Sequence, residues 1–182
     1  MSDDLRQRVL IAAHDELTRW GIDRFSIVAL ADRHDLDPGI IAQRWSSEEQ
    51  LILDVLIDEQ RTNIPAPDTG TLRTDLLALA RAMADYVSSD AGRSLQATHL
   101  IGNRSLPTAE IRRTVWRARS SRLHIVFDRA RDRGELVEDV DPPTAMELLL
   151  APINMRALFT GEPIDDQYCQ TVADLVWRAI AV

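Results

Sequence analysis

At 182 residues, 45% hydrophobic and 27% charged, the chain has the size and make-up of one ordinary domain, or of one with a smaller unit attached, which excludes wholesale disorder. Its single cysteine, Cys169, excludes an intramolecular disulfide framework and a multi-thiolate metal site, and neither metal nor cofactor is expected. The net charge is −8 and all 21 basic residues are arginine, so the distribution of charge is more informative than its sum.

The first residues, Met1-Ser2-Asp3-Asp4, are acidic and lead into no apolar leader core, so a cytoplasmic protein is expected. Leu5, Val9, Ala12, Ala13, Leu17 and Trp20 recur at three- and four-residue steps and predict a helix that ends at Gly21, a plausible left-handed cap. Ser26 is placed to cap a short second helix carrying Ile27, Leu30 and Ala31. After the turn Asp35-Leu36-Asp37, Asp37 and Pro38 read as N-cap and first residue of a third helix that runs to Arg44. A capping box, either Ser47 with Gln50 or Ser46 with Glu49, opens a longer helix through Leu51, Ile52, Val55 and Leu56.

Asn63 to Gly70 holds two prolines and no periodicity, and the boundary between residues 1–62 and 63–182 is placed there. Beyond it, Leu72, Leu76, Leu79, Ala80, Met83 and Val87 mark a helix, and a weaker one spans Ser94 to Asn103. Pro107 to Arg133 reads as a long helix with two apolar rows, Ile111, Val115, Ala118, Ile125 and Trp116, Leu123, Phe127, Ala130, ended by Gly134. Pro142 to Phe159 is apolar on nearly every side, with Pro152 expected to kink it. Its longest apolar run, Leu148 to Ile153, is far short of the roughly 20 residues that span a bilayer, so no membrane partner is expected. A last helix, Asp165 to Ala181, carries Tyr168, Val172, Leu175, Val176 and Ala179 on one face. No segment alternates as a strand does. The expected fold is all-α, about nine helices in a three-helix N-terminal unit and a larger C-terminal one.

Two short helices joined by a tight turn and buttressed by longer ones fit a helix-turn-helix. Ala31 supplies the small residue at the crossing, Asp35 the left-handed position, and Leu36 the apolar pin. The second short helix would present Pro38, Gly39, Ile40, Gln43 and Arg44 to a major groove. The charge runs the other way. Residues 1–60 hold six arginines against thirteen acids, whereas 104–133 hold nine against three.

The stretch from Val9 to Leu56 resembles the N-terminal DNA-binding domain of the TetR family of transcriptional regulators, on Ala13, Gly21, Ser26, Leu30, Ala31, Leu36, Gly39, Trp45 and Leu51. Asp132-Arg133-Gly134-Glu135-Leu136, Asp139-Val140-Asp141-Pro142 and the segment from Arg156 to Pro163 resemble that family's last third. The resemblance implies a ligand-responsive, DNA-binding regulator, a repressor that binds a palindromic operator in double-stranded DNA as a homodimer paired through its last two helices. It assigns Ser26, Asp37, Pro38, Gly39, Ile40, Gln43 and Arg44 to DNA. To the pocket of an unknown small-molecule effector it assigns Met83, Tyr86, Leu100, Trp116, Leu123 and Met155.

The chain departs from the family pattern at Ala42, where a phosphate-touching tyrosine is usual, at Glu48, where a lysine is usual, and at Asp37 and Ile40. Those departures keep open an alternative, a TetR-like ligand sensor or partner-binding dimer with weakened or lost DNA binding. Enzymatic signals are poor. Ser120, His124 and Asp128 share one helical face with no oxyanion site, and no catalytic residue is assigned. Asn103-Arg104-Ser105 is a glycosylation sequon in form only. In the arginine-rich stretch, ion pairing is one reading and an inward Arg119 or Arg122 on an anionic ligand is the other.

Overall fold

The computed structural model describes residues 3–21, 24–89, 92 and 109–182, with side chains at all of these except 59–63, 109, 111 and 112. They form eight α-helices: α1 (Asp3–Trp20), α2 (Ile27–Arg33), α3 (Pro38–Arg44), α4 (Glu48–Asn63), α5 (Leu72–Ser88), α6 (Ala109–Asp132), α7 (Pro142–Met155) and α8 (Asp166–Ile180). A π-helical turn, Arg156–Thr160, follows α7. No strand occurs among the described residues, and Leu136 meets Ala181 in one isolated antiparallel bridge. The chain is all-α, as its periodicity predicts. The expected helix over 94–103 lies outside the described residues, as does the sequon at Asn103.

The described residues divide into two compact units, 3–59 with 109–115 and 60–89 with 116–182. The division falls inside α4 and leaves the first turns of α6 with the N-terminal unit. In that unit Val9, Leu10, Ala13, Leu17, Leu30, Ile41, Trp45, Leu51, Ile52 and Leu56 form one core, which also buries Val115. The helix ends follow local chemistry. Gly21 takes φ +74° while its N–H reaches the Leu17 carbonyl at 3.0 Å, a conformation that suits glycine. At the start of α4, Ser47 Oγ accepts from Gln50 N, while Gln50 Oε1 accepts from Ser46 N at 3.0 Å. Trp20, predicted on the buried stripe of α1, is instead 47% exposed, and Arg33 stacks over its ring. Leu10 and Glu16 turn inward in its place.

The second unit packs α5, α6, α7 and α8 around Leu72, Leu76, Leu79, Met83, Leu123, Val126, Phe127, Met146, Leu149, Ile153, Val172 and Val176. The row predicted on α6 is shifted: Val126 is buried and Ile125 is exposed. On α8 the structure turns Cys169, Ala173 and Ile180 inward and leaves Leu175 outside. Pro152 withdraws the donor that would serve the Leu148 carbonyl. A π-helical turn begins four residues later, closed by Gly161 N on the Arg156 carbonyl at 2.9 Å. Leu148, Met155 and Phe159 remain exposed along this element. Among the described residues no helix is long and apolar enough to cross a membrane.

The proline-rich break between α4 and α5 is tied down by acids. Asp75, fully buried, accepts from Thr69 N and Thr69 Oγ1, each at 2.7 Å, with Arg133 3.5 Å from its other oxygen. Glu135 accepts from Leu72 N and from Arg133 Nε. Outside the core, α5 grips α8 through two forked pairs, Arg73 on Asp174 and Arg81 on Asp166. Hydrogen bonds from these guanidinium groups hold both carboxyls below the ordinary aspartate range. A lowered folded-state value adds stability above the ordinary aspartate value near 3.8 and loses it as pH falls through the folded value. The double variant Asp166→Asn/Asp174→Asn is therefore expected to melt below the wild type at about pH 7 and to converge on it toward about pH 2. Thermal melts across that range provide the check.

Candidate nucleic-acid interface

The turn between α2 and α3 is built from local preferences that agree with one another. His34 N bonds the Leu30 carbonyl at 3.1 Å and Leu36 N returns to the Ala31 carbonyl at 2.9 Å, so α2 closes in a compact cap. Between them Asp35 takes φ +51°, a left-handed conformation that a short polar side chain tolerates better than most. Leu36 packs against the core of the first unit. Asp37 then caps α3: its Oδ1 accepts from Gly39 N at 2.7 Å and from Ile40 N at 3.4 Å, with Pro38 as the first helical residue. A side chain at position 39 would place its Cβ 3.1 Å from that carboxylate oxygen, so glycine keeps the cap uncrowded.

α3 is anchored along one edge. Ile41 and the C-cap Trp45 are each 1% exposed, and Trp45 Nε1 donates to Asp54 at 3.0 Å. The opposite face is open. Of the residues assigned to DNA, Asp37, Pro38, Gly39, Gln43 and Arg44 are exposed, whereas Ser26 and Ile40 are half-buried. The exposed Arg44 places its guanidinium 5.7 Å from the Trp45 ring centroid. Ala42 shares this exposed face and offers no donor.

The structure revises two expectations about caps and charge. Ser26 occupies the N-cap position of α2, but its hydroxyl makes no capping bond. Glu48, at the first residue of α4, supplies the acceptor instead, taking Ile27 N on its Oε1 at 3.1 Å. The acid that departs from the family pattern thus caps α2. The pairing spans 21 residues, and nothing local in the sequence announces it. Arginines of the same unit are also engaged: Arg6 with Asp54 and Asp58, Arg19 with Asp15, and Arg33 with Glu16.

Four of the residues assigned to an effector pocket lie in one core cluster. Met83, Tyr86 and Leu123 are buried in the core of the second unit and Trp116 packs half-buried against it. Met155 is 53% exposed on the outer side of α7, and Leu100 lies outside the described residues. Arg119 is buried, and Arg122 donates to the Ile64 carbonyl at 2.9 Å. Ser120 is buried too, while His124 and Asp128, 2.8 Å apart, are half-buried.

Residues 66–176 match the family described as tetracyclin repressor-like, C-terminal domain. Over 174 residues the chain is 29% identical to the uncharacterized HTH-type transcriptional regulator YdeS of Bacillus subtilis, spanning 94% of this chain and 85% of that one. It is also 29% identical over 174 residues to the DNA-binding transcriptional repressor TetR of Mycobacteroides abscessus, spanning 91% and 88%. Among solved structures, the TetR family transcription regulator SCO0332 superposes with a TM-score of 0.75 at 24% identity, over 97% of this chain and 98% of that one. GusR of Salmonella enterica does so at 0.70 and 22%, over 97% and 96%. At these identities the two structures establish the fold.

The turn is where local substitutions are expected to register. Asp37→Ala removes the α3 cap and should lower the unfolding free energy by about 1 kcal/mol. Asp35→Val forces a β-branched residue into the left-handed region and should cost about 1–2 kcal/mol. Urea unfolding of each variant against the wild type gives the measurement.

Proposed function

The chain belongs to the TetR family of transcriptional regulators, and from that membership we propose that it is a DNA-binding repressor acting as a homodimer on a palindromic operator and released by a small-molecule effector. The observation that carries this reading is the geometry of α3. Its inner edge is fixed by Ile41 and Trp45, and its outer face offers Gln43 and Arg44, whose amide and guanidinium suit adenine and guanine edges. A helix held this way can enter a major groove without refolding.

The dimer is supported by what α7 and α8 leave uncovered. Leu148, Met155 and Phe159 are 53%, 53% and 66% exposed, and Leu175 on α8 is 61% exposed. Large apolar side chains spaced along two neighbouring helices form a face that a second copy would bury. The repressor sense of the reading leans on the Mycobacteroides abscessus relative, whose name describes a DNA-binding transcriptional repressor. An effector would act by favouring dimers in which the two α3 helices are no longer one duplex turn apart.

A second reading, a ligand sensor or partner-binding dimer with weakened DNA affinity, is favoured by the engagement of Arg6, Arg19 and Arg33 in ion pairs and by the exposed, donor-free Ala42. Backbone neutralisation supplies most non-specific affinity, and these arginines are drawn away from it. Fluorescence anisotropy with duplexes from the DNA flanking its own gene separates the two. The repressor reading expects saturable binding that weakens with salt, while absence of binding even in dilute buffer would favour the second. Arg44→Ala should cost about 1–3 kcal/mol on the preferred duplex and little on a random one. Glu48→Gln keeps an acceptor for Ile27 N and removes a negative charge, so it should tighten binding about two- to fivefold at low salt.

A further inference from the structure

Glu16 is the one charged side chain buried within the first unit among the described residues, 5% exposed on α1. Nothing in the DNA-facing surface uses it. A carboxylate withdrawn from water is costly unless it is paired, and here Arg33 of α2 hydrogen-bonds one oxygen while the His34 imidazole stands near the other. Arg33 Nη1 donates to Oε2, and His34 Nε2 stands 3.4 Å from Oε1. Arg33 is the last residue of α2 and His34 its C-cap. The Arg33 guanidinium is held a second time, 5.5 Å over the ring of Trp20 at the end of α1.

These two partners are the residues that lead the chain into Asp35, at φ +51°, and so into α3. Leu30 and Ala31 bury the inner side of α2, but apolar contact is non-directional and leaves a seven-residue helix free to rotate slightly on its bed. An acid hydrogen-bonded to a guanidinium that is itself stacked on a ring is directional. It fixes the end of α2, and whatever fixes that end fixes the origin of the turn that aims α3.

We propose that Glu16 is a positioning residue for DNA recognition, one that touches no DNA and acts by gripping Arg33 at the end of α2 so that α3 is presented at a single angle. This rests on the DNA-binding reading above. It implies a division between two kinds of affinity: base readout depends on the angle of α3, whereas phosphate attraction depends mainly on charge.

The test compares the wild type with Glu16→Leu, which fills the site with an apolar side chain, Glu16→Gln, which keeps shape but not charge, and Asp15→Asn, a neighbouring exposed acid, as the charge control. Thermal melts are paired with anisotropy titrations against the flanking-DNA duplex that the wild type prefers and a random duplex of equal length, over a range of salt. The expected result is a Glu16→Leu protein that melts near the wild-type temperature, because leucine fills the buried site and the Arg33 left behind, half exposed, turns to water. Its affinity for the preferred duplex falls at least about tenfold, the size of one lost base contact, while affinity for the random duplex and the salt slope stay put. Asp15→Asn keeps the wild-type ratio of the two affinities. Should Glu16→Leu not fold, the same criterion is applied to Glu16→Gln. Unchanged preference in a folded Glu16 variant overturns the inference, as does a parallel fall in melting temperature and in both affinities, which would make Glu16 merely structural. A wild type that prefers no duplex overturns the DNA-binding reading itself, and this inference with it.

Discussion

Seven residues make two helical turns, too few to hold a helix in water without help, so α3 owes its existence and its direction to what surrounds it. Ile41 and Trp45 sink one edge into the core of the first unit, the Asp37 carboxylate satisfies the backbone donors at its start, and the left-handed Asp35 sets the angle at which the chain arrives. Apolar burial supplies the energy, while the caps and the turn supply the direction. The side chains left outward, Gln43 and Arg44 foremost, are available for recognition because their neighbours carry the structural task.

Electrostatics in the first unit follow from the same division. Across residues 1–60, thirteen acids against six arginines is an unpromising sum for a partner of nucleic acid, yet several of the acids have structural duties. Asp37 and Glu48 lie at the N-termini of α3 and α2, where backbone donors and the helix dipole favour negative charge. Asp54 serves both the Trp45 indole and Arg6, and Glu16 serves the end of α2. The ledger has two sides, since those contacts also engage Arg6 and Arg33. What remains for a phosphate is a modest field, so on the proposed reading specific contacts from α3 would carry more of the binding than on a basic surface.

Much of this was legible in the sequence wherever the determining interaction was local. The start of α3 at Pro38, the Asp37 cap, the left-handed Asp35 and the Gly21 terminator all depend on residues within four positions of one another, and all appear as predicted. Side-chain partners brought together by tertiary packing were not legible. Glu48 under α2 and Glu16 under Arg33 join residues 21 and 17 apart, and no spacing rule links them. The faces of the longer helices were read only in part. Ile125 and Leu175 sit on apolar rows in the sequence yet face outward, since periodicity marks a stripe without saying which neighbour covers it. Met155, assigned to a pocket through the family resemblance, is exposed in the structure.

Hydroxyl-radical footprinting of the wild type on the DNA flanking its own gene tests the whole picture most directly. A dimer that seats one α3 in each of two successive major grooves should leave two protected patches centred about 10 base pairs apart on one face of the duplex. Uniform cleavage along the fragment, or a lone protected patch with no companion one turn away, would contradict it.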